Sequence, residues 1–147
     1  IARDVLEDAQ MGRRYLPTTW TGDISPQQIV TAAANPNSGD ALIITDAVKR
    51  LLEMAERFYT SGAKGFASLH WRAHMSIAIA AKVYRQIGVQ LADQDCAWHE
   101  GRQITTRTTK LICSLKAISG LFKRISRRKH EHNSNLHTSL RGLPYVS

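Results

Sequence analysis

Arg3, Asp4, Glu7, Asp8, Arg13 and Arg14 crowd into one short stretch, ARDVLEDAQMGRRYLP, at the start of a 147-residue chain. On a helix, residues four apart share a face, so Asp4 and Asp8 can turn two carboxylates to one side and hold a hard divalent cation through oxygen. Mg²⁺ suits such a pair because it keeps several waters and takes its other ligands from substrate phosphates. The same spacing fits a solvated helix laced with ion pairs, in which Arg13 and Arg14 meet Glu7 or Asp8. Like charges at i and i+4 repel, so the pair weakens its helix slightly and asks for a reason.

Other chemistry-bearing residues give weaker signals. His70 and His74 in HWRAH have the i, i+4 spacing of a zinc pair, but no third ligand accompanies them, and they read as surface histidines. The HEHNSNLH cluster, residues 130–137, reads as loop. Cys96 and Cys113 stand in separate segments without a metal-type spacing partner. That favours reduced packing thiols in a cytoplasmic setting over a disulfide framework. Tyr84 falls on the apolar side of its segment, so spacing alone makes it a core residue.

The elements that must position these residues are helices almost throughout. A first helix runs from Ile1 to about Gln10 and ends in the Gly12 to Pro17 stretch. DISPQQIV reads as a second, with Ser25 as N-cap and Pro26 at the first helical position. From Asp40 to Ser61 the apolar residues Ile44, Val48, Leu51, Leu52, Ala55, Phe58 and Tyr59 form an amphipathic stripe, with Gly62 as a C-cap. Another long helix is expected from about Trp71 to Ala92, with Ile77, Ala80, Tyr84, Ile87 and Leu91 on one face. A last one begins near Arg102 and carries Leu111, Leu115, Ile118, Phe122 and Ile125. No alternating segment competes, so the fold class is all-α.

A hydrophobic content of 43% with 7% aromatics is ordinary for one globular domain and argues against disorder throughout. The sequence opens on Ile1 directly into a helical pattern, with no visible secretory signal, as a fragment starting mid-domain would. No apolar run approaches the roughly 20 residues needed to span a bilayer. The net charge of +8 is uneven: Lys116, Lys123, Arg124, Arg127, Arg128, Lys129 and Arg141 face the single acid Glu131 from Leu111 onward. A nearly balanced body therefore ends in a basic tail that seeks phosphate, on lipid or on nucleic acid.

RDVLEDAQMGRRYLP closely resembles the second aspartate-rich motif of the squalene and phytoene synthase family, an R-D-x-x-x-D helix followed by G-R-x-Y-L-P. Arg3, Asp4, Asp8, Gly12, Arg13, Tyr15, Leu16 and Pro17 stand where that pattern wants them. AAKVYRQIG at residues 80–88 is similar to the family's tyrosine-bearing helix. AWHEGRQITT at residues 97–106 is similar to the A-W-x-x-R-Q region of bacterial carotenogenic phytoene synthases, with one extra residue between Trp98 and Arg102. The three matches come in the family's order over about residues 1–110, leaving 111–147 as a last helix and basic tail.

The resemblance implies the C-terminal part of an isoprenoid-synthase helical fold and a head-to-head condensation of two geranylgeranyl diphosphates to phytoene, through prephytoene diphosphate, in carotenoid biosynthesis. By the same resemblance Asp4 and Asp8 are catalytic and hold Mg²⁺, while Arg3, Arg13, Tyr84 and Arg102 contact the prenyl diphosphate substrate. The family's first aspartate-rich motif is not in this sequence, so the chain corresponds to roughly the C-terminal half and is expected to be inactive alone. A squalene- or dehydrosqualene-type synthase using farnesyl diphosphate is the alternative within the family. A basic helical module binding nucleic acid or membrane is the alternative outside it. Against nucleic acid, the basic residues are not interleaved with aromatics, and no helix-turn-helix or zinc-finger spacing occurs. The tail's basic residues beside apolar ones fit peripheral contact with an anionic membrane, at the inner face of a cytoplasmic enzyme's membrane.

Overall fold

A computed structural model describes residues 1–101 and 134–140 of the chain. The described residues are helical and contain no strand, which places the protein in the all-α class. Ala2–Asp4 forms a 3₁₀ turn, and the chain then widens into α1, Val5–Gln10. α1 closes with a Schellman pattern: Gly12 has φ +73°, its N–H reaches the Ala9 carbonyl at 2.9 Å, and the Arg13 N–H reaches the Asp8 carbonyl at 2.8 Å. The glycine of G-R-x-Y-L-P is thus required by backbone conformation, since other residues adopt that φ at a cost.

After Pro17 comes a single turn, α2, Thr18–Thr21, and then α3, Pro26–Ala33. Ser25 caps α3 through a reciprocal capping box with Gln28, and Pro26 takes the first helical position as its missing N–H allows. Two long helices follow: α4, Gly39–Gly65, capped by the Ser38 hydroxyl, and α5, Trp71–Asp93. They form an antiparallel hairpin, with Gly88 against Leu52 and Arg85 against Glu56. Gly62 does not end α4. It keeps an ordinary helical conformation without a positive φ, and Ala63 and Lys64 carry the helix one further turn.

The core gathers α1, α3, the first half of α4 and the end of α5. Ile44, Ala47 and Val48 are completely buried there, with Ile29, Leu91 and Trp98 beside them. Trp98 follows the end of α5, where Asp95 and Cys96 take positive φ and swing the chain back into the core. Its indole N–H donates to Thr45 Oγ1 at 3.0 Å, and that hydroxyl donates to the Ala41 carbonyl at 2.9 Å. Cys96 is buried as a packing thiol, and burial pushes its pKa up.

Three further expectations change. The buried residues of α5 are His74, Ala78, Ile87 and Leu91, while Ile77, Ala80 and Tyr84 from the expected stripe lie exposed. His74 is interior: its Nδ1 lies 2.7 Å from the Phe66 carbonyl oxygen, so it fastens the α4–α5 turn, with the Phe66 ring edge-on to it. His70 is exposed beside Trp71, and no group of three potential metal ligands occurs among the described residues. Ser134–Leu140, which includes the end of the histidine cluster, is 3₁₀ helix rather than loop, with Thr138 bonded back to the Asn135 carbonyl.

Candidate active site

The α4–α5 hairpin and the opening 3₁₀ turn enclose an open-sided groove of about 940 Å³. Leu51, Leu52, Ala55, Ile87, Gly88 and Leu91 line its apolar surface. Arg3, Asp4, Tyr59, Tyr84, Glu56 and Arg85 give it polar and charged walls. Gly88 keeps the two helices close, since a Cβ there would meet Leu52 Cδ2 at 3.3 Å.

Arg3 and Asp4 meet as a fork. Arg3 Nε donates to Asp4 Oδ1 at 2.8 Å and Nη2 donates to Oδ2 at 3.0 Å, with the two side chains 27% and 24% exposed. Asp4 chiefly raises the guanidinium's pKa, with Tyr84 and Glu7 adding to the attraction and burial opposing it. A similar fork joins Arg85 to Glu56, at 2.7 and 2.8 Å, and lowers the Glu56 carboxyl's pKa. Burial first, then Tyr84 and Glu56, push the Tyr59 hydroxyl up, so the two tyrosines and the two ion pairs form one electrostatic neighbourhood.

Of the residues singled out by sequence, Arg3, Asp4 and Tyr84 come together on this groove. Tyr84 is 62% exposed, which overturns its reading as a core residue. Asp8 and Arg13 line a smaller cleft with Val5, Tyr15, Leu16 and Ile29. The division has a backbone cause: Asp4 is the N-cap of α1 at φ −114°, ψ 23°, so it and Asp8 are not one regular α-helical turn apart. Arg14 meets neither Glu7 nor Asp8; it bonds the Ile24 carbonyl at 2.7 Å and Asp23 at 3.2 Å, tying the loop after α1 to the approach to α3. Arg102 and the basic residues of the tail from Lys116 to Lys129 lie outside the described residues. Arg85 stands inside AAKVYRQIG but the resemblance assigns it no role, and no motif covers Glu56 or Tyr59; the pairing of two antiparallel helices, which sets Glu56 opposite Arg85, is the signal that finds them.

The donor chemistry suits a hard cation. Asp4 is a carboxylate on the groove wall, and Glu7 Oε2, in the same stretch, is the buried side-chain oxygen that lacks a hydrogen-bond partner among the described residues. A buried anionic oxygen without a partner is a costly arrangement unless a cation or water completes it.

Residues 1–110 match the squalene/phytoene synthase family. The chain is 37% identical over 122 residues to a 15-cis-phytoene synthase of Enterobacter agglomerans, covering 82% of this chain and 39% of that protein. It is 38% identical over 117 residues to a 15-cis-phytoene synthase of Pantoea ananas, covering 80% of this chain and 37% of that protein. A phytoene synthase of Rhodobacter capsulatus is 37% identical over 113 residues, covering 76% and 32%. The chain therefore spans well under half the length of these relatives. No solved structure gives a significant match. With three quarters of its length matched and Arg3, Asp4 and Tyr84 of the motifs gathered on one groove, the chain belongs to the squalene/phytoene synthase family.

Proposed function

We propose that the chain is the part of a phytoene synthase that carries the second aspartate-rich motif. The whole enzyme would join two geranylgeranyl diphosphates head to head, forming prephytoene diphosphate and then phytoene in carotenoid biosynthesis. The observation that carries this reading is the meeting of Arg3, Asp4 and Tyr84 on an apolar groove, in a chain whose relatives are phytoene synthases.

The groove's chemistry matches what the reaction demands. A prenyl chain lies against Leu51, Leu52, Ala55 and Ile87, whose apolar side chains exclude water from an allylic cation that water would otherwise trap. Asp4 would hold Mg²⁺ from the groove wall, with Asp8, on the smaller cleft, as the motif's second carboxylate; when bound, the ion would neutralise charge on the leaving pyrophosphate. Arg3 supplies a planar set of N–H donors to the diphosphate, and Tyr84 supplies a hydroxyl on the same wall. Arg13 and Arg102 complete the substrate contacts in this reading. The basic tail holds the enzyme against an anionic membrane, where its greasy substrate and product reside; among the described residues no helix is long and apolar enough to cross one.

Incubating the full-length protein with Mg²⁺, a reduced nicotinamide cofactor as hydride donor, and either geranylgeranyl or farnesyl diphosphate, then separating the products, tests the reading. Phytoene from the C20 substrate is the expected product. Squalene or dehydrosqualene from the C15 substrate, with no phytoene, would refute it. Asp4→Asn is expected to lower turnover by a factor of about 100 or more without loss of helical content. Wild-type turnover would remove Asp4 from the chemistry.

A further inference from the structure

Arg3 and Asp4 are neighbours in sequence, and neighbours on a regular α-helix do not face each other. They meet here because Asp4 sits at the junction of the 3₁₀ turn and α1, with φ −114° and ψ 23°. The resulting fork engages both oxygens of the carboxylate, at 2.8 and 3.0 Å. Such bidentate charge-assisted pairs are among the stronger polar contacts in proteins, more so when partly shielded from water, as here. Mg²⁺ needs one of those oxygens at about 2.0–2.1 Å, which sets its charge close to the guanidinium, where like charges repel. Asp4 cannot satisfy both at full strength. Glu7, one turn further along, also attracts Arg3, and its buried Oε2 has no hydrogen-bond partner among the described residues. A guanidinium displaced from Asp4 therefore remains in a region of negative potential beside the groove.

We propose that Arg3 is the internal counter-ion of Asp4, that it competes with the cation for this carboxylate, and that cation binding frees its guanidinium for the diphosphate. Cation and anion are then coupled through one side chain: the first to arrive at Asp4 prepares the donor for the second. Before the cation binds, the same fork keeps Asp4 from standing as an unpaired charge on an apolar groove. The inference rests on the cation reading of Asp4 given above.

The test measures Mn²⁺ binding to the full-length protein, without any anion, from the electron paramagnetic resonance signal of free Mn²⁺. Arg3→Gln is expected to bind Mn²⁺ about fivefold tighter or more, within the usual range of coupling between two sites. Arg3→Lys decides the matter because it keeps the charge and loses the fork; it too is expected to bind Mn²⁺ tighter than wild type. Inorganic pyrophosphate, titrated by calorimetry at saturating Mn²⁺, is expected to bind Arg3→Gln more weakly than wild type. Opposite signs for cation and anion are not what general damage to the site produces. Wild-type Mn²⁺ affinity in Arg3→Lys would mean that only net charge matters, and would overturn the proposal. Weaker Mn²⁺ binding in Arg3→Gln would overturn it as well. Asp4→Asn separates the two levels: unchanged Mn²⁺ affinity there removes the cation reading and the proposal together. Weakened binding there, combined with no gain in Arg3→Lys, removes the proposal alone.

Discussion

The two ends of the α4–α5 hairpin share helices and apolar periodicity, yet they have different surroundings. At one end Ile44, Ala47 and Val48 of α4 are sealed by α1, α3, Leu91 and Trp98. At the other, Phe58 is 45% exposed, Ile77 46% and Trp71 47%. An amphipathic stripe declares that a helix has a face to bury, but the partner that buries it is written elsewhere in the chain. At the packed end the partner is local, because Trp98 and the α1–α3 segment fold back onto α4. At the bare end the described residues bury His74 and Ala78 but leave Phe58, Ile77 and Trp71 nearly half exposed. We propose that the remainder of a longer enzyme covers that end, since the chain spans only 37–39% of its first two relatives.

The largest effect should come from removing the seal. Trp98→Ala deletes the largest fully buried side chain and leaves a void against α4, a change that costs about 3–5 kcal/mol in protein cores. Urea unfolding of the 147-residue chain should show that loss as a much lower midpoint, and a change under about 1 kcal/mol would show that the packed end collapses around the void. Next in size, Thr45→Val keeps the shape but takes away the acceptor of the Trp98 indole N–H. Leaving that buried donor unpaired should cost about 1–3 kcal/mol. Unchanged stability would mean that water reaches the indole nitrogen.

The same contrast explains what was legible beforehand. The Ser25 cap ahead of Pro26, the end of α1 in the Gly12 to Pro17 stretch and the two long helices are local events, written in residues within one or two turns of each other. Arg3, Asp4 and Tyr84 were legible as a motif, and the fold brings them together. Which side of α5 is buried was not legible, because it depends on the angle at which α5 meets α4. Where the two helices meet, Gly88 fits against Leu52, and at their turn His74 holds the Phe66 carbonyl. The separation of Asp4 from Asp8 was hidden for a similar reason: a 3₁₀ turn and an α-turn look alike in sequence, and a change of type at Asp4 redirects one carboxylate.

Between the two ends stands the Glu56–Arg85 fork, and its contribution should be small because both side chains are about half exposed, 47% and 49%. Glu56→Gln is expected to cost about 0.2–1 kcal/mol. The sign with pH follows from the lowered pKa of Glu56, whose main cause is the hydrogen bonding from Arg85. The pair's contribution is fully present above the ordinary carboxylate range and is lost as pH falls through the lowered folded-state value. The gap in urea midpoint between wild type and Glu56→Gln should therefore close on going from about pH 7 to about pH 2–3, and narrow in high salt. A gap that widened in acid would mean that the bridge does not form in solution.

The smallest change in stability should come from the bare end, and there a near-zero result is the informative one. Phe58→Gln and Ile77→Gln remove apolar area that the folded chain leaves nearly half in water, so each should shift unfolding stability by no more than about 0.5 kcal/mol. Self-association should respond far more, because exposed apolar side chains on neighbouring helices form the kind of surface through which proteins associate. Sedimentation of the 147-residue chain at rising concentration should show less oligomer in the double variant than in wild type. A loss above about 2 kcal/mol would instead place Phe58 and Ile77 in a packed interior, and the two ends of the hairpin would no longer differ in kind.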